Sequence, residues 1–203
     1  MKIALIGATG NVGSKVLEEA LSRGHDVTAI VRNPDKLTAR PKLAPTRGDV
    51  HDQDGLAKLL AGHQAVISAV HFTASDPKKL IAAVKQSGVK RYIVVGGAGS
   101  LEVKPGLTLV ETPEFPALYK QEAQAGGEFL KLLRAENGLD WTFLSPSAVI
   151  APGERTGKFR LGGDQLLVGA DGKSFISQQD YAVALIDELE KPKHIRRRFT
   201  VGY

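Results

Sequence analysis

The chain has 203 residues, 42% of them hydrophobic and 24% charged, with a net charge of +5. That length suits one domain with a substantial core and is cramped for two, and no apolar run approaches the length of a membrane span. The absence of cysteine excludes disulfides, thiolate metal sites and a cysteine nucleophile, and the histidines (His25, His51, His63, His71, His194) show no short ligand spacing, so no metal site is expected. Much of the positive excess lies in the C-terminal KPKHIRRR, which reads as a solvated surface or an anion-attracting rim, so neither nucleic acid nor membrane is expected as a partner. The first residues enter a strand directly, with no signal-peptide pattern, and a cytoplasmic protein is expected, as a monomer or homodimer.

The run Lys2 to Ile6 is almost uninterruptedly apolar, the pattern of a strand buried on both faces of a parallel sheet. GATGNVG follows at once. From Asn11 onward Val12, Val16, Leu17, Ala20 and Leu21 recur at helical spacing, and Gly24 stands where that helix would end. A helix N-terminus leaves backbone N–H groups unpaired and carries partial positive charge, so a diphosphate can sit there if no side chain blocks it. In this reading Gly7 makes the tight turn, Gly10 lets the backbone approach the phosphates, and Gly13 lets the helix pack close to the sheet. Thr9 and Asn11 offer side-chain hydrogen bonds beside them, and Val12 opens the helix.

DVTAIVR, from Asp26 to Arg32, reads as a second strand, and NPDKL starts a short helix with Pro34 in its first turn. The end of the second strand faces the adenosine ribose in such folds. An acidic residue there favours NAD and an arginine favours the 2′-phosphate of NADP, so Arg32 predicts NADPH over NADH. Leu43 to Asp49 is a weaker third strand that Pro45 places at an edge, with Asp49 and Val50 where an adenine would lie. A short helix over Asp54 to Ala61 precedes the apolar strand Gln64 to Val70, whose Ser68, Ala69 and Val70 should line the cofactor crevice, with His71 next along. Pro77 opens a helix to about Gly88, and Arg91 to Val95 is the fifth strand. Alternating strand and helix predicts an α/β fold, a doubly wound parallel sheet with helices on both faces and the crevice at the C-terminal ends of the strands.

Between Ser100 and Pro116 the pattern stops, with Pro105, Pro113 and Pro116 breaking any helix or central strand, which suggests a lid or binding loop. A helix is expected from Ala117 to about Asn137, then a sixth strand beginning in Leu139 to Ile150, with Ser145, Pro146 and Ser147 emerging beside the nicotinamide position. The segment 151–175, glycine-rich with Arg155, Lys158 and Arg160, reads as a second binding loop, part of a small C-terminal substrate lobe within one domain spanning residues 1–203. Ser177-x-x-Asp180 resembles a capping box ahead of the helix YAVALIDELE, and Arg198 to Gly202 is a closing strand.

GATGNVG, Arg32, the GDV at residues 48–50, LSPSAVIAPG and ISQQDYAVALIDELE together resemble the atypical branch of the extended short-chain dehydrogenase/reductase superfamily. PGERTGKFRLGGDQLL and FTVGY point more narrowly to the bacterial NADH-flavin reductase-like proteins, relatives of biliverdin reductase B and of NADP-sensing regulators. The resemblance implies a Rossmann fold, NADP(H), and hydride transfer to a flavin (FMN or FAD) or a similar planar small-molecule acceptor. One departure stands out. The superfamily's Tyr-x-x-x-Lys dyad should fall near Glu122 and Gly126, and neither fits, while Tyr119 and Lys120 lie a turn earlier. Flavin reduction needs chiefly that two rings be stacked and oriented, and Tyr119, Ser100 and Ser147 are the candidates for orienting or proton-donating groups. A regulatory protein that senses NADP(H) without turnover, and an epimerase or dehydratase, are the alternatives.

Overall fold

The first strand shows how this chain builds its two cores. In the computed structural model, which describes all 203 residues, Ile3 and Leu5 of β1 (Lys2–Ile6) enter one hydrophobic cluster, and Ala4 and Ile6 enter the other. Period-two alternation with both faces apolar is what a central strand between two helical layers requires. The same division runs through β2 (Asp26–Val31), β4 (Ala65–Ser68), β5 (Arg91–Val95) and β8 (Asp140–Ser145). Helices α1 (Asn11–Ser22) and α5 (Gln178–Glu190) cover one face, whereas α2 (Gln53–Leu60), α3 (Pro77–Gln86) and α4 (Ala117–Arg134) cover the other.

With β3 (Leu43–Arg47), β10 (Arg160–Gly162) and β12 (Arg197–Gly202) added, the main sheet runs β10-β12-β8-β5-β4-β1-β2-β3. Every neighbouring pair is parallel except β10 with β12. The order reverses between β1 and β4, and there a doubly wound sheet opens a crevice at its C-terminal edge. Pro45 sits in the edge strand β3, where its missing N–H breaks no ladder.

Several elements differ from the sequence-based expectation. The stretch after Ser100 is not structureless: β6 (Glu102–Lys104) and β7 (Leu107–Thr108) form a hairpin around Pro105 and Gly106, the latter at φ +75°, followed by a single 3-10 turn. The sixth strand stops at Ser145, and β9 (Val149–Ala151) pairs instead with β11 (Phe175–Ser177) in a separate parallel ribbon. The glycine-rich segment supplies the antiparallel edge β10, and these small sheets form the C-terminal addition beyond the core. NPDKL is one 3-10 turn, capped by Asn33. Only half of the capping box forms. Ser177 Oγ accepts from the Asp180 amide at 3.0 Å, but the Asp180 carboxylate turns to Thr156, the Gly157 amide (2.8 Å) and Tyr203 Oη (2.8 Å).

Candidate functional site

The glycine turn divides its labour in a way the geometry makes plain. Gly7 lies at φ +84°, a conformation side chains disfavour, and a Cβ there would run into the Ala69 carbonyl. A Cβ on Gly13 would strike the Gly7 carbonyl. Both are therefore demanded by close packing of β1, α1 and the end of β4. At Gly10 a Cβ would meet nothing nearer than the Gly7 carbonyl oxygen at 3.4 Å, so the protein itself leaves this position free, facing outward. Gly10 caps α1, no side chain bonds the helix end, and no acidic residue stands in the first turn. The uncapped first amides of α1, at exposed Asn11 and half-buried Val12, and the positive end of the helix dipole thus form a cradle that suits an anionic diphosphate.

A groove of about 600 Å³ opens beside the turn, lined by Thr9, Ser14, Lys36 and Thr38 among others, with the Arg40–Glu18 ion pair (2.6 Å) on its wall. Arg32, just past β2, is exposed and makes no hydrogen bond or ion pair with the protein. Lys36 was not singled out from the sequence, although a second cation four residues after Arg32 was an available signal. Asp49 is exposed, its carboxylate accepting from the His51 amide at 2.9 Å, and Val50 is half-buried against the α2 and α3 layer. The residues present therefore fit a dinucleotide laid across the switch point.

Toward the other end of the crevice the predicted residues part company. Ala69 and Val70 are half-buried at the crevice end of β4, while the Ser68 hydroxyl points into the core and shares a hydrogen bond with Tyr92 Oη at 2.9 Å. Pro146 and Ser147 are buried, and Ser147 Oγ donates to the Val201 carbonyl at 3.0 Å. Ser100 is half-buried, with Arg198 Nη1 at 3.4 Å from its hydroxyl and Nη2 at 3.3 Å from its carbonyl. Tyr119 is 58% exposed in the first turn of α4. Tyr181, which no sequence motif points to, ties two strand ends together, donating to the Leu144 carbonyl at 2.6 Å and accepting from the Gly96 amide at 3.2 Å.

The positions expected for the Tyr-x-x-x-Lys dyad hold a different device. Glu122 accepts from the Phe72 amide (2.7 Å), the Thr73 amide (2.9 Å) and Thr73 Oγ1 (2.6 Å), fastening the loop after β4 to α4. Burial opposes its ionisation, but those bonds outweigh it and hold the carboxyl below the usual range. At Gly126 a Cβ would touch the Phe72 ring at 2.8 Å, and that ring stacks on Phe143 at 6.1 Å. The space a lysine would need is filled by phenylalanine.

Several arginines of segment 151–175 and of the C-terminal run are committed within the protein. Arg155 bonds Glu19 at 2.7 and 2.8 Å, and Arg160 donates to the Val168 and Tyr203 carbonyls at 2.7 and 2.6 Å. Arg198 is buried on Asp164, its Nε at 2.6 Å from the carboxylate, and lines a separate groove of about 500 Å³ with Arg134, Arg196 and Arg197 at the start of β12. No group of acidic and histidine residues is arranged to hold a metal ion, and no helix is long and apolar enough to cross a membrane.

Residues 7–192 match the NAD(P)H-binding family. Over 99% of its length the chain is 43% identical to the uncharacterized protein YwnB of Bacillus subtilis, covering 98% of that protein. Among solved structures it is similar to a "putative epimerase" from Bacteroides thetaiotaomicron, with 46% identity and a TM-score of 0.95 over 100% of this chain and 96% of that one. It is also similar to a "putative NADH-flavin reductase" from Streptococcus pneumoniae, with 38% identity and a TM-score of 0.82 over 100% and 99%. Cradle, strand order and sequence agree: the chain belongs to the NAD(P)H-binding family, within the atypical short-chain dehydrogenase/reductase group, and is an oxidoreductase of that Rossmann type.

Proposed function

We propose that this protein transfers a hydride from NADPH to a flavin or a similarly flat small-molecule acceptor. The observation that carries the reading is the contrast between the two ends of the crevice. The nucleotide cradle is complete, while the dyad that protonates carbonyls is replaced by Glu122, committed to a loop, and Gly126, packed on Phe72. Such a site favours an acceptor whose reduction depends chiefly on ring stacking and orientation. The name of the Streptococcus pneumoniae relative supports flavin as that acceptor. The Bacteroides thetaiotaomicron relative's name favours an epimerase instead, a reaction for which the missing tyrosine and lysine leave no obvious acid and base.

In this reading Gly7, Thr9, Gly10, Asn11, Val12 and Gly13 hold the diphosphate, and Arg32 with Lys36 takes the 2′-phosphate. Asp49 and Val50 flank the adenine, and Ser68, Ala69, Val70 and Pro146 shape the nicotinamide end. Tyr119 and Ser100 orient the acceptor from the outer rim, and Ser147 fixes the chain after β8. Residues 1–203 act as one domain, with segments 100–116 and 151–175 closing over the crevice, in the NADPH-supplied cytoplasm.

The test is to follow NADPH oxidation with FMN present. Turnover well above the protein-free control is expected with NADPH, and Arg32→Ala should weaken NADPH about 10- to 100-fold while leaving NADH nearly unchanged. NADPH binding without turnover on any flavin or quinone would instead favour a sensor of NADP state.

A further inference from the structure

We infer that His71, held by Glu122, supplies the proton that accompanies the hydride, in place of the absent tyrosine. This rests on the reductase reading above. The end of β4 delivers the chain into the crevice, and His71 lies three residues past Ser68. Its backbone is fixed, since its carbonyl accepts from the Ala74 amide at 3.2 Å and from Ser75 Oγ at 2.9 Å. Its imidazole stands free, with the side chain 83% exposed and only Nδ1 partnered, 3.3 Å from Glu122 Oε1.

Three observations make this more than an exposed histidine. The Glu122 carboxyl is kept ionised by the Thr73 and Phe72 bonds, which outweigh its burial, and a carboxylate can only accept. Nδ1 therefore carries the hydrogen shared with Glu122, and Nε2 is left to exchange a proton with whatever lies in the crevice. Next, Tyr119, Glu122, Ala123 and Gly126 fall on one stripe of α4 by their three- and four-residue spacing. A Cβ on Gly99 would strike Ala123, and one on Gly126 would strike Phe72, so this stripe faces the loops after β4 and β5. Finally, Glu122 falls near the position where the superfamily's tyrosine acid is expected, and His71 is its side-chain partner just past the end of β4.

The charged surroundings are sparse. From α4 the imidazole meets Glu122, with Tyr119 one turn earlier on the same stripe. On its own loop Asp76 is turned to the Lys78 and Lys79 amides, and Lys79 Nζ donates to the His51 carbonyl at 3.0 Å. In the step itself, the imidazolium N–H bond at Nε2 breaks as its proton passes to a heteroatom of the acceptor, which takes a hydride from NADPH. NADPH is oxidised to NADP⁺, the acceptor gains two electrons and two hydrogens, and the neutral imidazole regains its proton from water.

Two measurements on the full chain test this. In steady-state turnover of NADPH with FMN, the protonated donor is the active form, so kcat should fall with rising pH with a single-proton dependence. His71→Asn and His71→Gln should lower kcat about 100-fold, leave KM for NADPH unchanged, and remove that dependence. Independently of activity, proton NMR of the wild-type protein with NADP⁺ should give a nuclear Overhauser effect between the His71 ring and the nicotinamide protons. Unaltered kcat and pH profile in both variants, or bound NADP⁺ with no such effect, would overturn the assignment. No turnover together with no NADP⁺-induced shift at the Gly10 to Gly13 amides would instead sink the reductase reading, and this inference with it.

Discussion

Gly7 and Gly13 are held by packing, and Gly10 is not. This distinction between three residues of one type makes the site testable a residue at a time. Alanine at position 7 would be placed at φ +84° against the Ala69 carbonyl, and alanine at 13 would meet the Gly7 carbonyl. Each variant should lose about 2 kcal/mol or more, from strain at Gly7 and overpacking at Gly13, seen as a lowered Tm in thermal denaturation without any ligand. An unchanged Tm in both would mean that the turn is not packed as described. The pattern GATGNVG identified the three glycines but could not rank them, because the groups that crowd Gly7 come chiefly from Ala69, just past β4 and 62 residues away in the chain.

At the scale of elements, α1 and α5 lie side by side and are fastened to the segment after β9 by a chain of ion pairs. Arg155 grips Glu19, Glu19 also binds Arg23 at 2.7 Å, and Arg23 reaches Asp187 and Glu190 on α5 at 2.7 and 2.9 Å. The Arg155 bond is the largest influence holding the Glu19 carboxyl below its ordinary range, against burial and with help from Arg23. A depressed carboxyl stabilises the fold above its unfolded pKa, about 4.3, and that contribution is lost as the pH falls through the folded value. Arg155→Ala should therefore cost about 1 kcal/mol or less in urea unfolding at neutral pH, and the gap to wild type should narrow as the pH falls through the folded Glu19 value. A gap independent of pH would assign the loss to packing of the arginine stem instead.

These elements also show which features a sequence can reveal. Strands β1, β2, β4, β5 and β8 and the five helices announce themselves because burial imposes a period of two or about 3.6 over many residues. The hairpin β6–β7 has three- and two-residue strands, and β9, β10 and β11 have three each, too few to display a period. Arg155 reads from the sequence as part of a second binding loop because its partner, Glu19, is 136 residues away. In the same way, Glu122 was legible as a misfit at the dyad position. That it clamps residues 72 and 73 depends on a fold bringing α4 against the end of β4.

For the whole molecule, the two hydrophobic clusters lie on opposite faces of one sheet, and the strand order changes direction between β1 and β4. That reversal leaves the start of α1 uncovered at the C-terminal edge, where backbone amides and the helix dipole face solvent. Lys36 lines the groove beside this opening, Arg32 lies four residues before it in the chain, and the proposed reaction assigns the other end to the His71–Glu122 pair. The account depends on those amides holding the diphosphate of a pyridine nucleotide. Gly10→Ala isolates that claim, because position 10 has ordinary room for a Cβ and no special backbone angle, at φ −75°. Calorimetric titration with NADPH should show one site in the wild-type protein and at least about tenfold weaker binding in Gly10→Ala, with the Tm of the free variant unchanged. No heat from the wild-type protein, or equal affinity in the variant, would contradict it.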